Sequence, residues 1–282
     1  MAATVDGRDL GTEARILAFD RALHYGDGLF ETIAVVAGVP LFWDAHIARL
    51  AHGAKILRLP MPDPLLWMGD FQNLLRGAAI KSHRMLLKLI LSRGDGGGYG
   101  SSGAGPARRY LFLSEWPERA WQYWEPGIAT ALCPVPLLTG ASFLTVKSLN
   151  RLNQVAARDA LSPEYPEGVM LDQAGILREG VMSNLFWTHS GVVYTPDLTD
   201  GGIAGIQRRV ILDGLDARGM PVRLVRCGAE VLQDAEEIFF SNSLIGIWPV
   251  RHYAQRLLPG HAGPVASALL AWHREMGLGP QR

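Results

Sequence analysis

The sequence predicts an α+β protein in two domains with a cleft between them, and three observations carry that prediction. β-Hairpin patterns with glycine at the turn occur in both halves. Apolar helical stripes with capping residues accompany them. A stretch without periodicity, residues 117–126, divides the chain. The expected organisation is an N-terminal α/β domain over 1–116, a connection over 117–126 and a C-terminal domain over 127–282. A chain of 282 residues, 48% hydrophobic and 19% charged, is long enough to bury a sizeable core.

The elements follow in order. Tyr25-Gly26-Asp27-Gly28 leads into a strand over 29–36, which Ala37-Gly38-Val39 turns toward 40–43 as a hairpin. Asp44 is the expected N-cap of a helix whose stripe is Ile47, Leu50, Ala51 and Ala54, with His46 and Arg49 on another face. Asp63 caps a second helix that has Pro64 at its first position. Strands over 85–92 and 110–114 flank the glycine-rich stretch 94–105, and a loop of that length in a compact domain is functional or disordered. In the second half, 128–135 and 143–146 read as β structure, which sets Lys147 at a strand end before a helix opening near Asn150. Hairpins over 168–178 and 185–195, turning at Gln173-Ala174-Gly175 and Ser190-Gly191, are expected side by side in an antiparallel-rich sheet. Helices over 206–218 and 264–276 stop at Gly219 and Gly277.

The formal net charge is zero, so no global field draws in nucleic acid or an anionic membrane surface. Asp6, Asp9 and Glu13 interrupt the first twenty residues, which therefore lack a signal-peptide core, and no apolar run is long enough to span a bilayer. Cys133 and Cys227 make no disulfide framework and have no metal-site spacing. A cytoplasmic protein without a metal, acting on a small molecule, is the expectation.

Chemistry narrows to few side chains. The chain has four lysines, Lys55, Lys81, Lys88 and Lys147, against 23 arginines. Lysine forms imines with carbonyl cofactors, and Lys147 occupies the position most suited to display one. Lys55 at a helix end, Lys81 in a polar connection and Lys88 on a strand face are ordinary solvated charges, and spacing alone leaves that reading open for Lys147 too. A phosphate-bearing aldehyde cofactor also needs an acid for its ring nitrogen and donors for its phosphate. Glu179 stands where a strand turns into the next one. The start of the helix at Gly205-Ile206-Gln207 offers free N–H groups, Arg49 offers a positive charge and Ser243 a hydroxyl.

Taken together, Tyr25-Gly26-Asp27-Gly28-Leu29-Phe30-Glu31-Thr32, His46-Ile47-Ala48-Arg49-Leu50, Ser92-Arg93-Gly94 and the Glu179 segment resemble the fold-type IV family of pyridoxal-phosphate enzymes. The resemblance runs from about Ala18 to about Arg251. It implies a D-amino-acid-aminotransferase-like fold with pyridoxal 5'-phosphate in the interdomain cleft, and a homodimer. It further implies that Lys147 carries the cofactor, that Glu179 faces the ring nitrogen, and that Arg49, Ile206, Gln207 and Ser243 contact the phosphate, with Asn184 among the cofactor contacts. Tyr25, Glu31, Arg93, Arg151 and Asn242 become the expected substrate contacts.

Narrower motifs, from Lys147 to Gln154, Met182 to Trp187 and Asn242 to Val250, look like the aminodeoxychorismate-lyase branch. Branched-chain aminotransferases of the family carry tyrosine five residues after the lysine, where this chain has Leu152. One departure stands out. The lyases continue Ser-Arg-Gly with a second arginine, whereas this chain reads Gly96-Gly97-Gly98-Tyr99-Gly100, so Arg93, Arg108, Arg109 or Arg151 must meet the substrate carboxylate, or the substrate differs. The competing readings are an aminotransferase for D-amino or branched-chain acids on the same scaffold, and a non-catalytic protein that has kept the fold.

Overall fold

The computed structural model describes residues 1–10, 17–80, 82–101 and 104–280. Lys81 and Glu13 lie outside those residues. Contacts divide the chain into two compact units, one of residues 1–117 with 146–150 and the other of 118–145 with 151–282.

The first unit is built on a six-stranded antiparallel sheet. Its strands are β1 (Ala2–Val5), β2 (Arg8–Asp9), β3 (Gly28–Val36), β4 (Val39–Pro40), β5 (Arg84–Ser92) and β6 (Arg108–Glu115), in the order β2-β1-β6-β5-β3-β4. The long β3–β5 ladder runs from Gly28 opposite Ser92 to Val36 opposite Arg84. Ala37 and Gly38, both with positive φ (50° and 79°), make the tight turn into β4 that right-twisted strands favour. A short helix α1 (Arg21–Tyr25) precedes β3, and α2 (Trp43–Leu57) and α3 (Pro64–Gly77) follow β4. Ile47, Leu50 and Ala54 of α2 and Trp67, Phe71 and Leu74 of α3 share one buried cluster with Ile33, Leu87 and Leu89 of the sheet. Asp63 caps α3 as expected, its Oδ1 accepting the Leu65 N–H at 2.8 Å. Asp44 does not cap α2. Phe42, in the left-handed region, is the cap residue, and Asp44 lies in the first turn, where its charge still suits the helix dipole.

The second unit has a seven-stranded mixed sheet. It contains β7 (Ile128–Thr130), α4 (Leu152–Ala160), β8 (Val169–Leu171), β9 (Leu177–Gly180), β10 (Asn184–His189), β11 (Val192–Pro196), α5 (Ile206–Asp216), β12 (Val222–Val225), β13 (Glu237–Asn242), β14 (Gly246–Tyr253), β15 (Arg256–Leu257) and α6 (Pro264–Glu275). The order is β12-β11-β10-β13-β14-β15, with β7 added to β14. The β11–β12 and β7–β14 pairs are parallel. The two expected hairpins form, but β8 and β9 make a separate two-stranded sheet. The expected strand at 128–135 stops at Thr130. Stacked Phe186 and Phe239, with centroids 5.0 Å apart, centre a core that includes Leu185, Ile238, Phe240, Ile247 and Trp248. Among the described residues no helix is long and apolar enough to cross a membrane.

Candidate active site

In the first unit, Lys147 does not end a strand. Residues Ser142–Leu144 form a 3-10 turn, after which the chain lies along β3. The Phe30 N–H donates to the Lys147 carbonyl at 3.0 Å, and the Leu149 N–H donates to Gly28 at 2.9 Å. These long-range bonds put the half-buried lysine beside the strand, its Nζ 4.1 Å from the centroid of the Phe30 ring, a cation–π distance. The next residue on β3, Glu31, faces α2. Its carboxylate accepts from His46 Nδ1 at 2.7 Å, and from Arg49 Nε at 2.8 Å and Nη2 at 2.5 Å. Burial raises the Glu31 carboxyl, but Arg49 and His46 outweigh it and hold it near 2. Burial pushes the His46 imidazole below its usual value, Glu31 opposes this, and the Arg49 and Lys147 charges add to it. His46 Nε2 is buried with no hydrogen-bond partner among the described residues.

A second ionic cluster lies at α1. Asp27 accepts from Arg21 Nε at 2.8 Å and from Arg93 Nε at 2.7 Å. Burial raises its carboxyl, and the two arginines more than offset that, holding it below the ordinary value. Arg93 donates its other nitrogens to the Leu57 and Arg58 carbonyls at 2.8 and 2.9 Å, closing the C-terminal end of α2. Arg21 reaches the carbonyls of Gly98, Tyr99 and Gly100 at 2.7, 3.3 and 3.2 Å. The glycine-rich loop is therefore gripped at its middle. Its Tyr99, 93% exposed, packs against the Tyr25 ring with centroids 5.7 Å apart.

In the second unit, Glu179 and Asn184 clasp the loop that enters α5. Glu179 Oε2 accepts the Ile203 N–H at 2.8 Å, and Asn184 donates to the Ile203 carbonyl at 2.8 Å while accepting the Gly205 N–H at 3.0 Å. A Cβ at Gly205 would stand 2.1 Å from Asn184 Oδ1, so the clasp requires glycine there. The chain between Glu179 and Asn184 winds around the buried carboxylate of Glu167. This accepts the N–H groups of Gly168 (3.0 Å), Val181 (2.7 Å) and Met182 (3.3 Å) and the Ser183 hydroxyl (2.6 Å). Burial raises the Glu167 carboxyl and those donors pull it back only in part.

Gly205 caps α5 without a side-chain hydrogen bond, so the first-turn N–H groups of Ile206 and Gln207 have no intrahelical acceptor. Asn242 accepts from the Leu244 and Ile245 N–H groups and donates to Met182, shaping the turn that carries Ser243. Arg151 precedes α4. Burial lowers its pKa, and the Glu179 charge partly restores it.

Within the first unit the structure therefore gathers Lys147, Glu31 and Arg49, and places Tyr25 and Arg93 at α1. Within the second it gathers Glu179, Asn184, Ile206, Gln207 and Arg151. Sequence reasoning missed Glu167, His273, whose Nε2 lies 2.5 Å from Gln207 Nε2, and the anchoring role of Arg21. Asp27, in the quoted glycine motif, was the available signal for the last; the others are single residues with no local pattern.

The folds of the two units and these clusters define a class. Over residues 28–253 the chain matches the amino-transferase class IV family, and it belongs to that family. It is 34% identical to an aminodeoxychorismate lyase of Vibrio harveyi over 242 residues, 82% of this chain and 84% of that one. The solved 4-amino-4-deoxychorismate lyase of Pseudomonas aeruginosa is similar with a TM-score of 0.87 and 34% identity, covering 97% of this chain and 98% of its own. A putative branched-chain-amino-acid aminotransferase of Methanocaldococcus jannaschii is 30% identical over 243 residues, 84% of this chain and 82% of that one.

Proposed function

We propose that the protein is a pyridoxal 5'-phosphate-dependent lyase that converts 4-amino-4-deoxychorismate to 4-aminobenzoate and pyruvate, a step toward folate. The observation that carries this reading is the 34% identity to a lyase over more than four-fifths of both chains. Leu152, where related aminotransferases have tyrosine, supports it. The residues present fit the cofactor. α5 begins without a side-chain cap, as an anion-binding helix end requires, and Glu179 is a carboxylate oriented by the Ile203 N–H.

When bound, the cofactor draws electron density from the carbon bearing the substrate amine and so acidifies its proton. Lys147, as a free amine, would take that proton on Nζ. It then delivers a proton to the departing enolpyruvate, so that pyruvate leaves and the six-membered ring becomes aromatic. Glu179 would keep a proton on the ring nitrogen. Arg49, Ile206, Gln207 and Ser243 would hold the phosphate, with Asn184 fixing the loop that leads into Ile206 and Gln207, and Tyr25, Glu31, Asn242 and an arginine would orient the substrate. Of the arginines considered for the substrate carboxylate, Arg93, Arg108 and Arg109 donate to Asp27, Asp95 and Asp70, and Arg151 lies beside α4 under the influence of the Glu179 charge.

The test mixes cofactor-loaded protein with enzymatically generated aminodeoxychorismate and measures both products. Equimolar 4-aminobenzoate and pyruvate are expected, with a loss of about 10³-fold in Lys147→Ala. Absence of both products from protein that carries the cofactor would sink the reading. The aminotransferase alternative is favoured by the 30% identical archaeal relative. It predicts sustained conversion of an amino acid with 2-oxoglutarate and no lyase products. The same reading includes a homodimer in the cytoplasm. Exposed Phe19, Leu23 and Tyr99 of the first unit and two free cysteines support it, and a solution mass near the single-chain 30.8 kDa would remove the dimer.

A further inference from the structure

Gln207 is the second residue of α5, yet it does not point to solvent as a first-turn glutamine ordinarily does. It is 1% exposed, and its Nε2 lies 2.5 Å from Nε2 of His273, which is also 1% exposed and sits near the end of α6. The tautomer follows from the other ring nitrogen. His273 Nδ1 lies 2.6 Å from the Leu269 carbonyl, which can only accept, so Nδ1 carries the hydrogen. Nε2 is then a lone-pair acceptor, and the Gln207 amide donates to it. Burial holds His273 neutral by lowering its pKa to about 4, the Leu269 carbonyl opposing in part. Gln207 Oε1 is buried with no hydrogen-bond partner among the described residues.

A glutamine in the first turn of a helix has a competing use, because its side chain folds back onto the free N–H groups there. Those groups are what an anion at the helix end needs. We propose that His273 is a positioning residue that sequesters the Gln207 side chain and so keeps the amino end of α5 uncapped for the cofactor phosphate. This rests on the phosphate assignment made above. It links α6, which contributes no phosphate contact in the proposed function, to phosphate binding, and it accounts for a buried hydrogen bond between two neutral side chains that the reaction does not use. It also explains how glutamine is tolerated at this position. The side chain is removed from the anion site and only the backbone N–H is offered.

The test compares binding of pyridoxal 5'-phosphate and of pyridoxal, which lacks the phosphate, to the cofactor-free protein by quenching of intrinsic fluorescence, with thermal denaturation alongside. His273→Phe keeps the bulk of the ring, loses the acceptor and frees Gln207. It is expected to weaken pyridoxal 5'-phosphate about tenfold, the worth of one hydrogen bond to a charged group, and to leave pyridoxal unchanged. Adding Gln207→Ala removes the competing side chain, so the double variant should bind within about twofold of Gln207→Ala alone. A purely structural role predicts the opposite, with the double variant at least as weak as His273→Phe and pyridoxal weakened in parallel. Wild-type affinity in His273→Phe, or no recovery in the double variant, overturns the proposal. If His273→Phe fails to fold, His273→Gln, whose amide oxygen still accepts from Gln207, is expected to bind like wild type, and a tenfold loss there overturns it as well. Equal wild-type affinity for pyridoxal and its phosphate would bring down the phosphate assignment itself, and this proposal with it.

Discussion

In the first unit, Glu31 is held by Arg49 and His46, and Asp27 by Arg21 and Arg93, so each carboxylate is fixed by charged or polar side chains. In the second, Glu167 is held by three backbone N–H groups and one hydroxyl, Glu179 accepts a backbone N–H, and Gln207 is held by a neutral histidine. The difference teaches where specificity of position comes from. A carboxylate bound by guanidinium groups fixes side chains to one another, and the main chain need only present them. A carboxylate bound by main-chain donors fixes the path of a loop, here the turn from Glu179 to Asn184. Substitution should therefore lower overall stability in the first unit and local order in the second.

The largest stability effect is expected for Glu31→Ala, which removes the buried carboxylate that Arg49 and His46 share. Breaking a buried ion pair costs about 3–5 kcal/mol, so a large fall in the denaturation midpoint in urea is expected. A loss below about 1 kcal/mol would show that the first unit does not depend on this pair. Glu167→Gln should cost less, about 1–3 kcal/mol, because one oxygen still accepts while the new amide opposes the Met182 or Ser183 donor. Hydrogen exchange should speed up at residues 180–184 and at 203–205, and exchange confined to global unfolding would break the comparison.

The pH dependence comes next. His273 is neutral in the folded state, with a pKa lowered to about 4 from 6.5, so its contribution is fully present above pH 6.5 and is lost as pH falls toward 4. Between those values the unfolded chain binds the extra proton. His46 acts in the same direction, while the raised carboxyls of Glu167 and Glu237 act in the other. The clean measurement is thus a difference, and His273→Phe should flatten the stability profile between pH 4 and 6.5 relative to wild type. The smallest effect belongs to the one i,i+4 ion pair of α5, Arg209 with Asp213, whose side chains are 74% and 72% exposed. Its removal should cost less than about 0.5 kcal/mol, and a larger cost would mean that exposed charge matters in the second unit after all.

Much of this was legible because it is local. The Ala37-Gly38 turn, the Asp63-Pro64 helix start and the 185–195 hairpin each follow from a few adjacent residues. The setting of Lys147 was not legible. Its apolar neighbours suggest a strand, but the pairing that places it runs to Gly28 and Phe30, more than a hundred residues away. The separation of β8 and β9 from the main sheet is likewise decided by packing. Asp44 lost the cap position of α2 because the chain leaves β4 through a left-handed Phe42 and begins the helix earlier. Candidate residues were found where chemistry restricts the choice, as with four lysines, while Glu167 and His273 carry no spacing signal and emerge only from what surrounds them.

The grip of Arg21 on the carbonyls of Gly98, Tyr99 and Gly100 has a consequence for how this chain can change. Every amino acid supplies a carbonyl, so the hold is indifferent to which side chains the loop carries. A Cβ at Gly97 would meet nothing within 4 Å, and the Tyr99 side chain is 93% exposed. Position 97 can therefore take a side chain, and position 99 can change its own at the cost only of the ring contact with Tyr25, while the loop keeps its course.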